Sequence, residues 1–293
     1  MILVTGANGL AGSAVIRECS RQDVPVRALV RSGATAQALA SFPAVEVVEG
    51  DMQRPETLAG PLSGVDRVLV ISSSDDQMVA TQSAFIDAAT KAGVRHIVKL
   101  SGLNASLTSP FLFNRMHAEI ERHIERSGLA WTHLRPSQFM TEYLRELPTI
   151  VARNAFFLAL DDVKLAPVDV EDIAKAAVAL LRTSGHERKR YEMTGPEALS
   201  MTEIAEQISV AIGGAVRYVN VPPDDRSRAL LSAGLPSYIV DALDVQASER
   251  RKGATGEGVV HSETHIALGI RPTTFAEFAR RHAAAFRGEA MPS

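Results

Sequence analysis

One cysteine in 293 residues, Cys19, cannot form an internal disulfide, so the fold must close without covalent staples, and a reducing compartment fits that economy. Cys19 falls four residues after Val15 on a stretch of helical spacing and reads as a small buried side chain rather than a reactive thiol. Blocks of like charge are also missing. Lys and Arg number 31 against 34 Asp and Glu, with the signs interspersed, which argues against a nucleic-acid-binding arm or an acidic tail. No apolar run is long enough to span a bilayer. The first residues lack a basic leader, apolar core and small-residue cleavage site, so a cytoplasmic protein is expected, with neither membrane nor nucleic acid as partner. Internal repeats and low-complexity segments are absent, and no metal site is expected. The 46% hydrophobic content suffices for one large core, or for one domain with an appendage.

Short β-branched runs alternate with helical stretches through the first two thirds of the chain, the pattern of successive βαβ units. Strands are expected at Met1 to Thr5, Val26 to Val30, Val45 to Glu49, Val68 to Ser72, His96 to Ser101 and Trp131 to Arg135. Helices are expected at Leu10 to Ser20, Ala34 to Ser41, Gln77 to Ala92 and Phe113 to Ser127, with Phe113, Met116, Ile120 and Ile124 as one apolar stripe. Gly93 and Gly128 stand where helices end. The fold class is therefore α/β, a Rossmann-type parallel sheet with helices on both faces. Residues 1–140 form the nucleotide-binding core, with 163–182 adding to it, and 141–293 form mainly a smaller substrate-binding region. Ser200 with Glu203 and Thr274 with Glu277 are capping boxes in that region. The last helix carries Phe275, Phe278, His282 and Phe286 on one face, which makes His282 a packing residue. Ser248 to Gly258, charged and with three glycines, is the stretch expected to be mobile.

Thr5-Gly6-Ala7-Asn8-Gly9-Leu10-Ala11-Gly12 follows a strand and opens a helix, the context in which a glycine fingerprint carries meaning. Gly6 permits the tight turn, Gly9 lets backbone approach a pyrophosphate, and Gly12 lets helix and sheet pack closely. Phosphates would meet the positive end of the helix dipole beside Asn8 and Leu10. Between Val24 and Val45 there is no acidic residue to hold a ribose 2′-hydroxyl, whereas Arg31 follows the second strand. A guanidinium there can fork onto a 2′-phosphate, so NADPH is expected in preference to NADH; the other reading is an ordinary solvated arginine. Asp51 either accepts from the adenine amino group or caps a turn. Ser72, Ser73 and Ser74 after the fourth strand either line the site or only turn the chain.

The order and spacing of several further segments complete the pattern: Val30-Arg31, Gly50-Asp51-Met52, Ile97-Val98-Lys99-Leu100-Ser101, Ala118-Glu119-Ile120-Glu121, Leu134-Arg135-Pro136-Ser137-Gln138-Phe139-Met140 and Val168-Asp169-Val170-Glu171-Asp172-Ile173-Ala174. Together they resemble, over nearly the whole chain, the NmrA-like branch of the atypical short-chain dehydrogenase/reductase superfamily, which includes quinone reductases, triphenylmethane-dye reductases and NADPH-sensing regulators. The resemblance implies that the superfamily's Tyr-x-x-x-Lys pair falls on Phe113-Asn114-Arg115-Met116-His117, where both residues differ. Without that relay, alcohol oxidation and sugar epimerisation are not expected. It also implies a serine near the nicotinamide at Ser101, for which a turn role is the other reading. Pro136 and Phe139 would border the nicotinamide. What remains is NADPH passing hydride directly, without flavin, to a quinone-like or conjugated small molecule. A non-catalytic, NADPH-sensing regulator is the alternative. His117, His133 and Tyr143 are candidate proton donors, each also open to a structural reading.

Overall fold

Alternation of apolar residues on both faces of a strand demands cover on both faces, and the computed structural model, which describes residues 1–32 and 37–289, supplies it. In chain order the elements are β1 (Ile2–Val4), α1 (Leu10–Arg21), β2 (Val26–Val30), α2 (Gln37–Ala40), β3 (Val45–Glu49), α3 (Ala59–Leu62), β4 (Arg67–Val70), α4 (Met78–Lys91), β5 (His96–Leu100), α5 (Leu112–Arg126) and β6 (Ala130–Pro136). There follow α6 (Leu147–Arg153), β7 (Ala155–Leu158), α7 (Val170–Arg182), β8 (Lys189–Met193), α8 (Met201–Ile212), β9 (Arg217–Asn220), α9 (Pro223–Ser232), α10 (Ser237–Arg251), α11 (Glu263–Leu268), α12 (Phe275–Arg281) and α13 (Ala283–Phe286). The expected helix from Ala34 starts on residues outside those described; its described part is α2. Elsewhere the expected elements of the first 140 residues are found with ends shifted by one or two residues.

Seven strands form one sheet in the order β3-β2-β1-β4-β5-β6-β8, and every pairing in it is parallel. Val4, Val26, Ala28, Val98 and Leu134 face one core with the buried stripes of α1 and α7. Leu3, Leu29, Val68, Val70 and Ile97 face the other, against α3, α4 and α5. This is the doubly wound α/β sheet that the alternation of elements implies. The seventh strand comes from far along the chain, pairing Thr132 to Lys189 through Pro136 to Met193. A third core, around Met140, Phe156, Ile204, Phe275 and Phe278, holds the second lobe, with β7 and β9 as a two-stranded parallel sheet. Both capping boxes form. The last helix is broken into α12 and α13 at His282, whose ring packs on Phe278 with centroids 4.5 Å apart. Among the described residues no helix is long and apolar enough to cross a membrane.

The stretch from Ser248 to Gly258 is tied down rather than loose. Buried Arg250 donates to both carboxylate oxygens of Glu257, at 2.7 and 2.8 Å. Ala166 N–H donates to the Glu257 carbonyl, and the Asn104 side chain donates to the Thr255 carbonyl, which carries this strap over the loop that follows β5. Composition suggested mobility because these partners lie far away in sequence.

Candidate functional site

The chain leaves β1 toward β2 and β3 on one side of the sheet and returns to β4 on the other, so the loops after β1 and β4 diverge and open a crevice at the carboxyl ends of the strands. Thr5 fixes the two sides of that crevice to each other. Its hydroxyl donates to the Ile71 carbonyl at 2.6 Å and accepts from the Ile71 N–H at 2.8 Å. Gly6 then turns with φ +56, where an added Cβ would lie 3.0 Å from the Ile71 carbonyl oxygen. At Gly12 a Cβ would stand 2.1 Å from the Gly6 carbonyl oxygen, so only glycine lets α1 sit on its own entry turn. Gly9 is different. Its missing Cβ would touch the Gly6 oxygen at 3.2 Å and otherwise point into open space.

Gly9 is also the N-cap of α1. No side chain caps the helix, its first turn holds no carboxylate, and the side chain of Leu10 is half exposed. Partial positive charge at that end is thus left without a side-chain cap or a first-turn carboxylate, an arrangement suited to phosphate. Arg31 stands exposed just past the end of β2, the strand next to β1. Asp51 is partly committed: its Oδ1 accepts from the Gln53 N–H at 3.0 Å, and its Oδ2 lies 3.4 Å from Arg54 Nε. Ser72 accepts from the Gln82 amide at 2.8 Å, while Ser73 is exposed beside it.

The loops after β5 and β6 form the far wall. Ser101 N–H donates to the Leu134 carbonyl and Leu103 N–H to the Pro136 carbonyl, so the β5 loop rides along the end of β6. Ser101 commits its hydroxyl to α5, donating to Glu121 Oε1 at 2.6 Å. Arg135 holds the same carboxylate with two bonds, 2.9 Å from Nε and 2.5 Å from Nη2. Burial pushes Glu121 upward, but these hydrogen bonds and nearby positive charge outweigh it and keep the carboxyl below its ordinary range. Pro136 is buried, and half-buried Phe139 bridges to Val168 through its backbone. Two buried carboxamide oxygens, Gln82 Oε1 on α4 and Gln138 Oε1 just after β6, have no hydrogen-bond partner among the described residues. An open glycine cradle, an uncapped helix end and orphaned buried acceptors fit a dinucleotide with amide and hydroxyl donors.

Two candidate donors from the sequence are enclosed elsewhere. Tyr143 lies in the second lobe's core between Phe156 and Phe275, donates to Met201 Sδ at 3.7 Å, and is pushed by burial above an ordinary phenol. His133 is wholly buried, stacks on Trp131 with centroids 4.5 Å apart, and is lowered by burial to about 3. Tyr143→Phe should therefore change stability by no more than about 1 kcal/mol. It should also leave the rate of acceptor-dependent NADPH oxidation unaltered; a loss of turnover without loss of melting temperature would place the phenol in the chemistry after all. Glu121, Glu125 and His133 bring ligand atoms within 4.8 Å of one another, but Arg135 and Arg190 already occupy the two carboxylates.

His117, by contrast, lies against Gly102 just past the carboxyl end of β5 and has a partner that its sequence neighbours do not reveal. Lys99 is completely buried on β5 and lies 3.2 Å by its Nζ from His117 Nδ1, while donating to the Leu100 carbonyl at 2.7 Å. The signal was available in the period of two that puts Ile97, Lys99 and Ser101 on one face of β5, toward α5. Gly102 completes the contact: a Cβ there would come within 3.1 Å of His117 Cδ2.

Comparison with known proteins identifies the family. The NmrA-like family model matches residues 1–279. The chain is 36% identical over 286 residues to the NAD(P)H azoreductase of Xenophilus azovorans, covering 98% of this chain and 99% of that one. It is 37% identical over 283 residues to quinone oxidoreductase 2 of Escherichia coli, covering 94% and 96%. The crystal structure of that NADPH-dependent quinone oxidoreductase, complexed with NADPH, superimposes with a TM-score of 0.85 over 96% of this chain and 99% of that chain. The Citrobacter sp. triphenylmethane reductase complexed with NADP(H), 26% identical, gives 0.85 over 97% and 100%. With the family pattern matched from the first strand into α12, and relatives matched along almost their whole length, the chain belongs to the NmrA-like family.

Proposed function

We infer that the protein is an NADPH-dependent reductase that lets a flat, conjugated acceptor (a quinone, an azo compound or a cationic dye) take hydride directly, without flavin. The observation that carries this reading is the crevice between β1 and β4, where a glycine cradle meets an uncapped helix end and no second cofactor motif accompanies it. The relatives' own activities support it. Bound NADPH supplies the hydride. Gly6, Gly9 and the first turn of α1, with Asn8 and Leu10, hold the pyrophosphate, and Arg31 the 2′-phosphate. Asp51, Ser72 and Ser73 flank the adenosine half. The backbone from Pro136 to Met140 borders the nicotinamide, with Gln138 accepting from its carboxamide and Phe139 as an apolar wall for the acceptor. Phe113 and His117 stand in place of the tyrosine and lysine of alcohol dehydrogenases, so the acceptor must be one that needs no alkoxide chemistry. Selectivity then comes from shape in a site that orients two planar partners.

The test is loss of reduced-nicotinamide absorbance against a panel of quinones, azo dyes and triphenylmethane dyes, with NADPH binding measured separately by calorimetry. Acceptor-dependent oxidation is expected, with a primary isotope effect when one face of the nicotinamide carries deuterium. Tight NADPH binding with no oxidation across the panel would instead identify a nucleotide sensor.

A further inference from the structure

Reduction of a quinone by hydride leaves an oxyanion, and reduction of an azo bond leaves a nitrogen anion; each needs one proton for every hydride it accepts. A cationic triphenylmethane dye differs, because hydride on its central carbon yields a neutral product with no proton needed. Resting on the reductase reading, we propose that His117 is the proton donor of this site and that Lys99, acting through it, is the buried positioning residue that reloads it.

The geometry defines the direction of the relay. A protonated lysine has three donors and no acceptor, so the 3.2 Å contact makes His117 Nδ1 the acceptor and leaves the ring proton on Nε2. That Nε2 edge faces Gly102, where a Cβ would lie 3.5 Å from the nitrogen, at the carboxyl end of β5 beside the proposed nicotinamide wall. Lys99 itself has no exposed surface, and His117, a residue of intermediate exposure, is its hydrogen-bonded route outward. The step balances. The Nε2 proton passes to the anionic oxygen or nitrogen of the reduced acceptor, the Lys99 ammonium gives one proton to Nδ1, and a neutral amine remains to be reprotonated from solvent through the same ring.

The surrounding charges favour a relay over a free imidazolium. On α5, Glu121 faces Lys99; on β6, Arg135 and the neutral His133 lie behind it. Burial, then the charges of Lys99 and Arg135, hold His117 well below the ordinary imidazole range, so it stays neutral and donates only as it receives. Burial lowers Lys99 to about 7, with Glu121 pulling the other way. The relay is loaded below that pH and empties as the pH rises through it.

Two variants, Lys99→Met and His117→Phe, test this on the full-length protein with a quinone and a cationic triphenylmethane dye as paired acceptors. The quinone-to-dye ratio of kcat should fall roughly 100-fold in both, the range of a lost general acid. For the unmodified protein, quinone turnover should decline with rising pH near neutrality, and Lys99→Met should abolish that step. Without any nucleotide, 15N NMR of the histidines should show His117 as the Nε2–H tautomer at low pH, changing as Lys99 titrates, and no such change in Lys99→Met. Equal losses with both acceptors, or an unchanged ratio, would overturn the relay; no turnover of either acceptor by the unmodified protein would overturn the reductase reading beneath it.

Discussion

Gly9→Val should eliminate measurable NADPH binding while leaving a folded protein. The backbone at Gly9, φ -80 and ψ 173, is extended and open to any L-residue, so valine meets no conformational barrier there. As an N-cap exchange it costs the fold about 1 kcal/mol at most. Its branched side chain, however, projects beyond the single 3.2 Å contact with the Gly6 oxygen into the open space by which, in the proposed binding mode, a pyrophosphate would reach the helix end. Displacing both phosphates from their N–H donors removes several charge-assisted hydrogen bonds at once. An affinity loss of at least about 1,000-fold, near 4 kcal/mol, is expected. Calorimetry gives the affinity and far-ultraviolet circular dichroism the fold. Gly12→Ala is the contrasting variant, since its Cβ would stand 2.1 Å from the Gly6 oxygen and force α1 off its turn. That change should lower the melting temperature as well as the affinity. Unaltered NADPH binding by Gly9→Val would put the phosphates elsewhere.

Arg31→Asp should erase or reverse the preference for NADPH over NADH. The arginine is exposed at the end of β2, in a region where the sequence from Val24 to Val45 has no acid. A guanidinium–phosphate contact contributes about 1.5–3 kcal/mol, and aspartate adds repulsion of the 2′-phosphate together with an acceptor for a 2′-hydroxyl. The ratio of dissociation constants should therefore move by about 100-fold or more in favour of NADH. Because the contact is at the surface, the NADPH preference of the unmodified protein should shrink with added salt, and so should any NADH preference of Arg31→Asp, whose repulsion of the 2′-phosphate is screened in the same way. Equal titration curves for both nucleotides in the unmodified protein, at one ionic strength, would remove Arg31 from the site.

The parts of this molecule that were legible in its sequence are those fixed by local rules. The glycine turn, the first six strands and both capping boxes announce themselves because spacing of two, of 3.6, or of three residues is a property of neighbours along the chain. β8 was not legible: Lys-Arg-Tyr-Glu-Met begins with two exposed charged residues, as an edge strand can, and shows no apolar alternation. Lys99 hid for the opposite reason. It stands in an otherwise apolar strand, where a lysine is read as a surface position, and only the placement of α5 reveals that His117 and Glu121 enclose it. The strap from Arg250 to Glu257 looked loose because its anchors, Asn104 and Ala166, are remote in sequence.

Strand β8 and helix α7 also bear on how the chain reaches this state during synthesis. Thr132 must find Lys189 to complete the sheet, and the buried face of α1 waits for α7. The seven-stranded sheet therefore cannot be complete when only the first 140 residues have emerged. It must pause with β6 as an open edge and α1 half covered until residue 193 has been made. A fragment cut at residue 140 would be trapped in that condition, offering an unpaired parallel strand and an apolar helix face to other copies. The interleaving of the two lobes thus makes aggregation of nascent or truncated chains, rather than independent folding of a small nucleotide-binding unit, the outcome that this topology favours.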